Sequence, residues 1–117
     1  MAKIRDKRVE DVIAFMQDNL SQDLPLSTLA KGVNLSSTQL SHIFKSELGV
    51  TASQYLKSLR LKKARELLDI TYLTVKEIGV TVGLNDASHF VRDFKRSYGL
   101  TPAQYRKRFT RRERARQ

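Results

Sequence analysis

Two short stretches of the chain, residues 38–45 and 87–96, carry closely spaced side chains that can contact nucleobases and phosphates. Hydroxyl and imidazole groups can bond to base edges, small apolar groups can pack on a thymine methyl, and a guanidinium can bond to guanine O6 and N7 together. The base-reading candidates are Thr38, Ser41, His42, Ala87, Ser88, His89, Val91 and Arg92. Arg92 is the strongest of them, because a bidentate arginine contact contributes about 1–3 kcal/mol of discrimination between bases.

Cations and the backbone N–H groups in the first turn of a helix are common partners of DNA phosphates. Cations follow the base-reading candidates in the sequence, and Thr residues stand where helices are predicted to begin. The phosphate-binding candidates are Lys45, Thr51, Thr74, Lys95, Arg96, Thr101 and Arg106. Contacts of this kind would carry much of the affinity for a nucleic acid and would position the base-reading side chains.

The candidates recur because the chain contains the same passage twice, at about residues 26–60 and 75–109. The offset between the copies is 49 residues up to Leu84 and 50 residues from Phe90 onward, which indicates one inserted residue. A repeat of this length indicates two copies of one structural unit. Matched pairs include Ala30 with Gly79, Asn34 with Gly83, Leu40 with Phe90, Phe44 with Phe94 and Tyr55 with Tyr105.

Each copy has the residue spacing of a helix-turn-helix. This motif needs a small residue where its two helices cross, a turn residue four positions later, and an apolar residue inside the second helix. The first copy has Ala30, Asn34 and Leu40 at these points, and the matched residues of the second copy meet the same needs. Asn34 and Gly83 tolerate positive φ, so we predict a tight turn at both. The outward face of the second helix is then free to enter a DNA major groove.

Apolar periodicity predicts an all-α chain of about seven helices, with two helix-turn-helix subdomains joined by a long linker helix. The predicted helices span about 5–20, 26–33, 52–70, 75–82, 86–97 and 102–109, and one more helix, capped by Ser36 or Ser37, stops at Gly49. Thr51, Thr74 and Thr101 each precede a Gln or Glu by three positions, which is the pattern of a capping box. The predicted regions are 1–50 with the first subdomain, 51–70 as the linker, 71–109 with the second subdomain, and 110–117 as a basic tail.

The charge balance favours a polyanion as partner. Lys and Arg total 22 against 12 Asp and Glu, for a net charge of +10, and such an excess attracts nucleic acids. The stretch from Arg106 to Gln117 holds seven Lys or Arg and one Glu. We expect its last residues to be disordered or to lie along DNA, and a merely solvated end is an equal alternative.

The sequence contains no pattern that indicates catalysis, a cofactor or a metal site. The chain has no Cys, and its two His residues belong to different subdomains with no acidic cluster nearby. It has no nucleophile with a base, no phosphate loop and no paired carboxylates. The apolar runs are too short to span a membrane, and the N-terminus lacks the apolar stretch of a signal peptide. We therefore predict a non-enzymatic, soluble, cytoplasmic protein.

The second copy contains three segments with a specific residue pattern, Ile78–Leu84, Ser88–Lys95 and Tyr98–Arg106. This pattern resembles that of the DNA-binding domain of the AraC/XylS family of bacterial transcription regulators. These segments follow the family's alanine-rich helix with its Gly-Phe-x-Asp turn, then Ser-x-Phe-x-Arg-x-Phe-Lys, then Gly-x-Thr-Pro-x-x-Tyr-Arg. The resemblance extends from about Val9 to Phe109. The departures are Gly79-Val80 where alanine is commoner, Leu84 where Phe or Tyr is usual, and Pro25 where a capping Ser or Thr often stands.

The resemblance implies that the second helices of the two motifs occupy adjacent major grooves on one face of double-stranded DNA. A linker helix of about 28 Å plus the subdomain widths can match grooves about 34 Å apart, with some bending of the DNA. The family also implies contact with RNA polymerase and transcription activation, often under control of a separate ligand-binding or dimerisation domain. The 117 residues hold no such domain, so we expect a stand-alone activator or an excised C-terminal domain, and the start at Met1-Ala2-Lys3 favours excision.

Two other functions stay open from the sequence. Basic charge and helicity also fit a non-specific RNA-binding protein, although paired helix-turn-helix motifs suit the wide major groove of B-DNA better than the deep, narrow groove of A-form RNA. The other alternative is a module whose apolar helix face binds a protein partner. Four aromatic residues on apolar helix faces could stack on single-stranded bases, but core packing is favoured. They are Phe44, Tyr55, Phe94 and Tyr105.

Overall fold

The computed structural model describes residues 5–108, and this part of the chain contains seven α-helices and no strand. In chain order the helices are α1 (Lys7–Asp18), α2 (Leu26–Lys31), α3 (Ser37–Leu48), α4 (Ala52–Ile70), α5 (Val75–Thr81), α6 (Ala87–Tyr98) and α7 (residues 102–108). The predicted all-α fold is confirmed. The predicted basic tail, residues 110–117, lies outside the described residues, as does residue 109 of the last predicted helix. None of the helices in this part of the chain is long and apolar enough to span a membrane.

Local caps set the ends of the helices. Helix α1 is shorter than predicted because the Asp6 carboxylate accepts the Arg8 backbone N–H at 2.9 Å and so begins the helix at Lys7. At its other end the Asn19 side chain donates to the Phe15 carbonyl at 2.9 Å. Helix α3 is capped by Ser36, with Gln39 closing a capping box. Reciprocal bonds of this kind satisfy backbone donors that have no partner inside the helix.

The chain divides into two compact units between Leu59 and Arg60. Helix α4 serves both units, since its first half contributes to the core of the first and its second half to the core of the second. The first core contains Val9, Val12, Ile13, Met16, Leu24, Leu29, Ala30, Leu40, Phe44, Ala52 and Leu56. The second contains Leu61, Ala64, Leu68, Ile78, Val82, Phe90 and Phe94. The predicted division into 1–50, a linker helix at 51–70, 71–109 and 110–117 stays a prediction.

The helix-turn-helix motifs of the two units close in the same way. Asn34 has a φ of 57° and Gly83 a φ of 84°, which confirms the positive-φ turn predicted in each copy. The N–H of the residue after each turn donates back to the carbonyl of the crossing residue, at 3.0 Å to Ala30 and at 2.7 Å to Gly79. These bonds hold the two helices of each motif close together at the predicted small residue.

The crossing in the second unit is too close for a side chain at Gly79. A Cβ atom there would lie 2.9 Å from the Leu84 carbonyl oxygen and 3.2 Å from Cδ2 of Phe90. In the first unit, Ala30 occupies the same point and is buried, with Leu40 in place of the phenylalanine ring. The motif therefore accepts only small residues at the crossing.

Aromatic rings fill matching places in the two cores. The ring centroids of Phe44 and Tyr55 are 5.6 Å apart and those of Phe94 and Tyr105 are 5.8 Å apart, both edge-to-face. Both phenylalanines are fully buried, and both tyrosines are partly buried against the same cores. The interpretation of these residues as core is confirmed, and each pair contributes about 0.5–1.5 kcal/mol beyond its burial.

We expect Gly79→Leu to lower the free energy of unfolding by about 2 kcal/mol or more, because a larger side chain overpacks the crossing against a backbone carbonyl. Urea unfolding followed by circular dichroism measures this change. Val80→Leu, at an exposed neighbouring position on α5, is the matched control and should unfold like the wild type. An unchanged midpoint for Gly79→Leu would contradict the close crossing.

Candidate nucleic-acid interface

The core contacts of α3 decide which of its side chains face solvent. Leu40 and Phe44 are fully buried, which turns the opposite side of the helix outward. The predicted residues on that side, Thr38, Ser41, His42 and Lys45, are all exposed. They line one shallow groove of the first unit together with Leu26, Ser37 and Ser46. The structure thus brings the four predicted residues of the first copy to one surface.

Helix α6 is oriented in the second unit by the same two core positions. Phe90 and Phe94 are buried, and Asp86 caps the helix by accepting the His89 backbone N–H at 2.9 Å. The predicted residues that are exposed are Ala87, Ser88, His89, Arg92, Lys95 and Arg96. Val91 is partly buried, so it has less surface for a thymine methyl than the sequence suggested.

The two exposed faces differ in charge. At the offset of 50 residues, His42 on α3 corresponds to Arg92 on α6, and Ser46 corresponds to Arg96, while both helices keep a lysine at Lys45 and Lys95. Helix α6 therefore presents three cations where α3 presents one. Because each cation can neutralise a phosphate or bond to a base edge, the second unit has the greater capacity for both kinds of contact.

Asp86 is a charged residue of this surface that sequence reasoning missed. Besides capping α6, its carboxylate Oδ2 lies 3.7 Å from Nδ1 of His89. The pKa of Asp86 lies below its usual range, mainly because the carboxylate accepts the His89 backbone N–H, with smaller contributions from the charges of His89 and Arg92. The sequence signal that could have identified this cap is the Asp itself, a preferred N-cap residue, placed three positions before His89 at the start of a helix.

The lowered pKa of Asp86 predicts a specific loss of stability in acid. A carboxylate whose folded pKa is depressed stabilises the fold above its unfolded pKa, and this stability is lost as the pH falls through the folded value. Asp86→Ser introduces the cap that α3 already uses. At pH 7 we expect the urea midpoint of Asp86→Ser to match that of the wild type, because Ser and Asp are comparable caps.

Below about pH 4 the Asp86→Ser variant should lose less stability than the wild type, because serine does not titrate. Urea midpoints at steps from pH 6 to pH 2.5 measure the difference. Glu10→Gln removes an exposed carboxylate from α1 and serves as the control. Identical acid sensitivity of Asp86→Ser and the wild type would contradict the ionised cap.

The three predicted threonines all form capping boxes. The hydroxyls of Thr51, Thr74 and Thr101 each accept the N–H of the residue three positions later, at 3.1–3.2 Å. The side chains of Gln54, Glu77 and Gln104 in turn accept the threonine N–H groups. The box at Thr74 closes with a carboxylate, whose pKa is lowered by the Thr74 backbone N–H above all. A carboxylate at this helix start repels phosphate, whereas the two boxes closed by Gln are neutral.

The guanidinium of Arg106 has partners inside the second unit. It donates to the Leu68 carbonyl at 3.3 Å and to the Thr71 carbonyl at 3.2 Å, and a third bond goes to the Leu73 carbonyl. These carbonyls belong to the end of α4 and to the segment before α5. Arg106 therefore fixes the connection that leads into the second motif, which is a different role from the predicted phosphate contact.

Arg106→Lys should lower the free energy of unfolding by about 1–3 kcal/mol, because an ammonium group cannot reproduce the guanidinium fork and leaves carbonyls without donors. Thermal and urea unfolding report this loss. Lys107→Ala changes an exposed neighbour on α7 and should have little effect. If Arg106 acted only on phosphate, the Lys variant would be as stable as the wild type.

Comparison with known proteins agrees with this double helix-turn-helix architecture. A family model described as a helix-turn-helix domain matches residues 29–108. The arabinose operon regulatory protein of Salmonella typhimurium is 31% identical over 102 residues, which cover 86% of this chain and 36% of that protein.

Two solved structures have the same fold. The C-terminal domain of AraT, a response regulator from Geobacillus stearothermophilus, is 36% identical with a TM-score of 0.82, and the match covers 87% of this chain and 85% of that one. The DNA-binding domain of AdpA, solved in complex with a target DNA, is 26% identical with a TM-score of 0.85, and the match covers 90% and 95% of the two chains.

The fold and the two exposed helix faces define a protein with paired helix-turn-helix motifs. The matched family and the relatives make the assignment more specific: the chain belongs to the AraC family of helix-turn-helix DNA-binding transcription regulators. It spans about a third of the length of the curated relatives that it matches.

Proposed function

We propose that this chain binds double-stranded DNA sequence-specifically as the DNA-reading part of a bacterial transcription regulator, with α3 and α6 in adjacent major grooves. The observation that carries the proposal is the matched exposure of α3 and α6. In each unit the second helix of the motif buries the same two core positions and exposes, at corresponding places, the side chains that we assign to base reading and phosphate binding. An exposed helix of this kind fits the width of the B-form major groove.

The two units have different tasks in this proposal. Helix α6 is the more selective reader, because Arg92 can bond to two guanine acceptors, with Ser88 and His89 beside it. Helix α3 presents smaller groups and His42. It therefore contributes more to affinity and to the position of the protein along the DNA than to discrimination between bases. The similarity to the AdpA DNA-binding domain, which was solved in complex with a target DNA, supports binding to duplex DNA.

Phosphate contacts follow from the exposed cations and the neutral helix starts. Lys45, Lys95 and Arg96 are exposed and supply the cations. The first turns that begin after Thr51 and Thr101 supply backbone donors without an opposing carboxylate. Thr74 does not belong to this set, because its capping box contains a carboxylate. Arg106 does not belong to it either, because its guanidinium is held by three carbonyls.

The proposal extends to the regulator as a whole. We infer transcription activation through contact with RNA polymerase, in the cytoplasm at the nucleoid, from the family resemblance. One curated relative, from Mannheimia succiniciproducens, bears the name of a transcriptional activator. A ligand-binding or dimerisation domain would belong to the part of the relatives' length that this chain does not span.

Selection of bound sequences from a random duplex library tests the proposal. The most enriched duplex is then titrated by fluorescence anisotropy at several salt concentrations, and a scrambled duplex and a duplex RNA are titrated in the same way. We expect an enriched site of two short blocks about one helical turn apart and a steep salt dependence. Equal binding to all DNA duplexes would contradict sequence-specific reading, and a preference for RNA would favour the RNA-binding alternative.

Two variants of α6 separate base reading from phosphate binding. Arg92→Ala should relax the preference at one base pair by about 1–3 kcal/mol, because a bidentate contact to guanine is lost. Lys95→Ala should weaken binding to every duplex and reduce the salt slope by about 0.9. Lys62→Ala, at an exposed position on α4, is the control. Equal loss of specificity in the Arg92 and Lys95 variants would contradict the assigned roles.

A further inference from the structure

Asp93 is the one charged residue that is buried among residues 5–108, with 7% of its surface exposed. The corresponding residue of the first copy is Ile43, which is partly buried against the core of its unit. Replacing an aliphatic side chain by a buried carboxylate costs stability unless the charge is paired. The fold of the unit does not by itself require a carboxylate here, since the first copy builds the same helix with isoleucine.

The carboxylate of Asp93 meets the side chain of Arg92. Its Oδ1 lies 3.6 Å from Nε of Arg92, whose side chain is 56% exposed. Asp93 also takes part in a further interaction besides this ion pair. A buried acid thus contacts the inner end of an exposed guanidinium. Because the contact is made through Nε, the two terminal NH2 groups of the Arg92 guanidinium can still donate to two acceptors that lie in one plane.

We propose that Asp93 is a positioning residue that holds the Arg92 guanidinium in the orientation that reads guanine. The inference rests on the proposed DNA-binding function and extends it to a residue that does not itself touch DNA. A long, exposed arginine loses rotamer freedom when it binds, and an anchored partner reduces that loss. The acid also lowers the net charge beside the phosphates, so it favours discrimination between bases at the expense of general affinity.

Asp93→Asn tests this role, since the amide has nearly the same size but no charge. The reference is the base pair whose preference is lost in Arg92→Ala. We expect Asp93→Asn to reduce the preference at that base pair about five- to ten-fold, within the range of coupling between contacting residues. Affinity for the scrambled duplex should rise, because one negative charge is removed beside the phosphates. A residue that only supported the fold would not raise that affinity.

A double-mutant cycle isolates the positioning effect. In the Arg92→Ala background, Asp93→Asn should leave the preference at the reference base pair unchanged. Glu66→Gln makes the same change of charge at an exposed position on α4. It should not alter the preference at any base pair.

Three outcomes would overturn the inference. In the first, Asp93→Asn keeps the wild-type preference at the reference base pair. In the second, Asp93→Asn reduces the preference equally at every base pair in the half of the DNA site that contains the reference base pair, as expected from damage to the unit. In either case the wild type would still read DNA, so the proposed function would stand. If selection yields no base pair that depends on Arg92, both the inference and the assigned reading role of α6 are wrong.

Discussion

The close crossing of two helices within each unit is the constraint on which both exposed helix faces depend. A backbone hydrogen bond after the turn reaches the carbonyl of Ala30 in one unit and of Gly79 in the other. Because the crossing is tight, the second helix can rest on the core only with its two buried positions inward. Packing on the core thereby decides which side of the second helix faces outward. The chemistry of the exposed face can vary while the crossing stays the same.

The repeat shows this separation of scaffold and surface. Both copies keep a small crossing residue, a positive-φ turn, a buried phenylalanine with a tyrosine edge against it, and a left-handed glycine after the second helix. At the exposed positions they diverge, with His42 on α3 and Arg92 on α6. A divergence of this kind suits two units that read different bases, since discrimination depends on the groups that reach the base edges.

Much of this architecture could be predicted from the sequence because it follows from local rules. Helix α4 was predicted with its observed bounds, and the turns at Asn34 and Gly83 followed from residue type and from the repeat. The capping boxes also depend only on residues three positions apart. The rotation of α3 and α6 was predictable as well, because apolar periodicity shows which side of a helix is buried.

The contacts that sequence reasoning missed depend on tertiary structure. They join residues that are far apart in the chain, or they involve a charged group whose burial the sequence does not show. Arg106 lies more than thirty residues from the carbonyls that it binds, so no local pattern indicates that its guanidinium is occupied. Asp93 stands beside Arg92 in sequence, but adjacent residues on a helix usually point apart. Only the structure shows that the carboxylate is buried and lies near Nε of the arginine.

Hydroxyl-radical footprinting of the chain on its selected duplex tests the central claim most directly, since it locates both contacts in one measurement. If each unit places one helix in a major groove, two protected stretches should appear on the same face of the DNA, with their centres about 10–10.5 base pairs apart. Exchanging the base pair read by Arg92 should weaken protection in one stretch only. A single protected stretch, or protection on opposite faces, would contradict paired reading by α3 and α6.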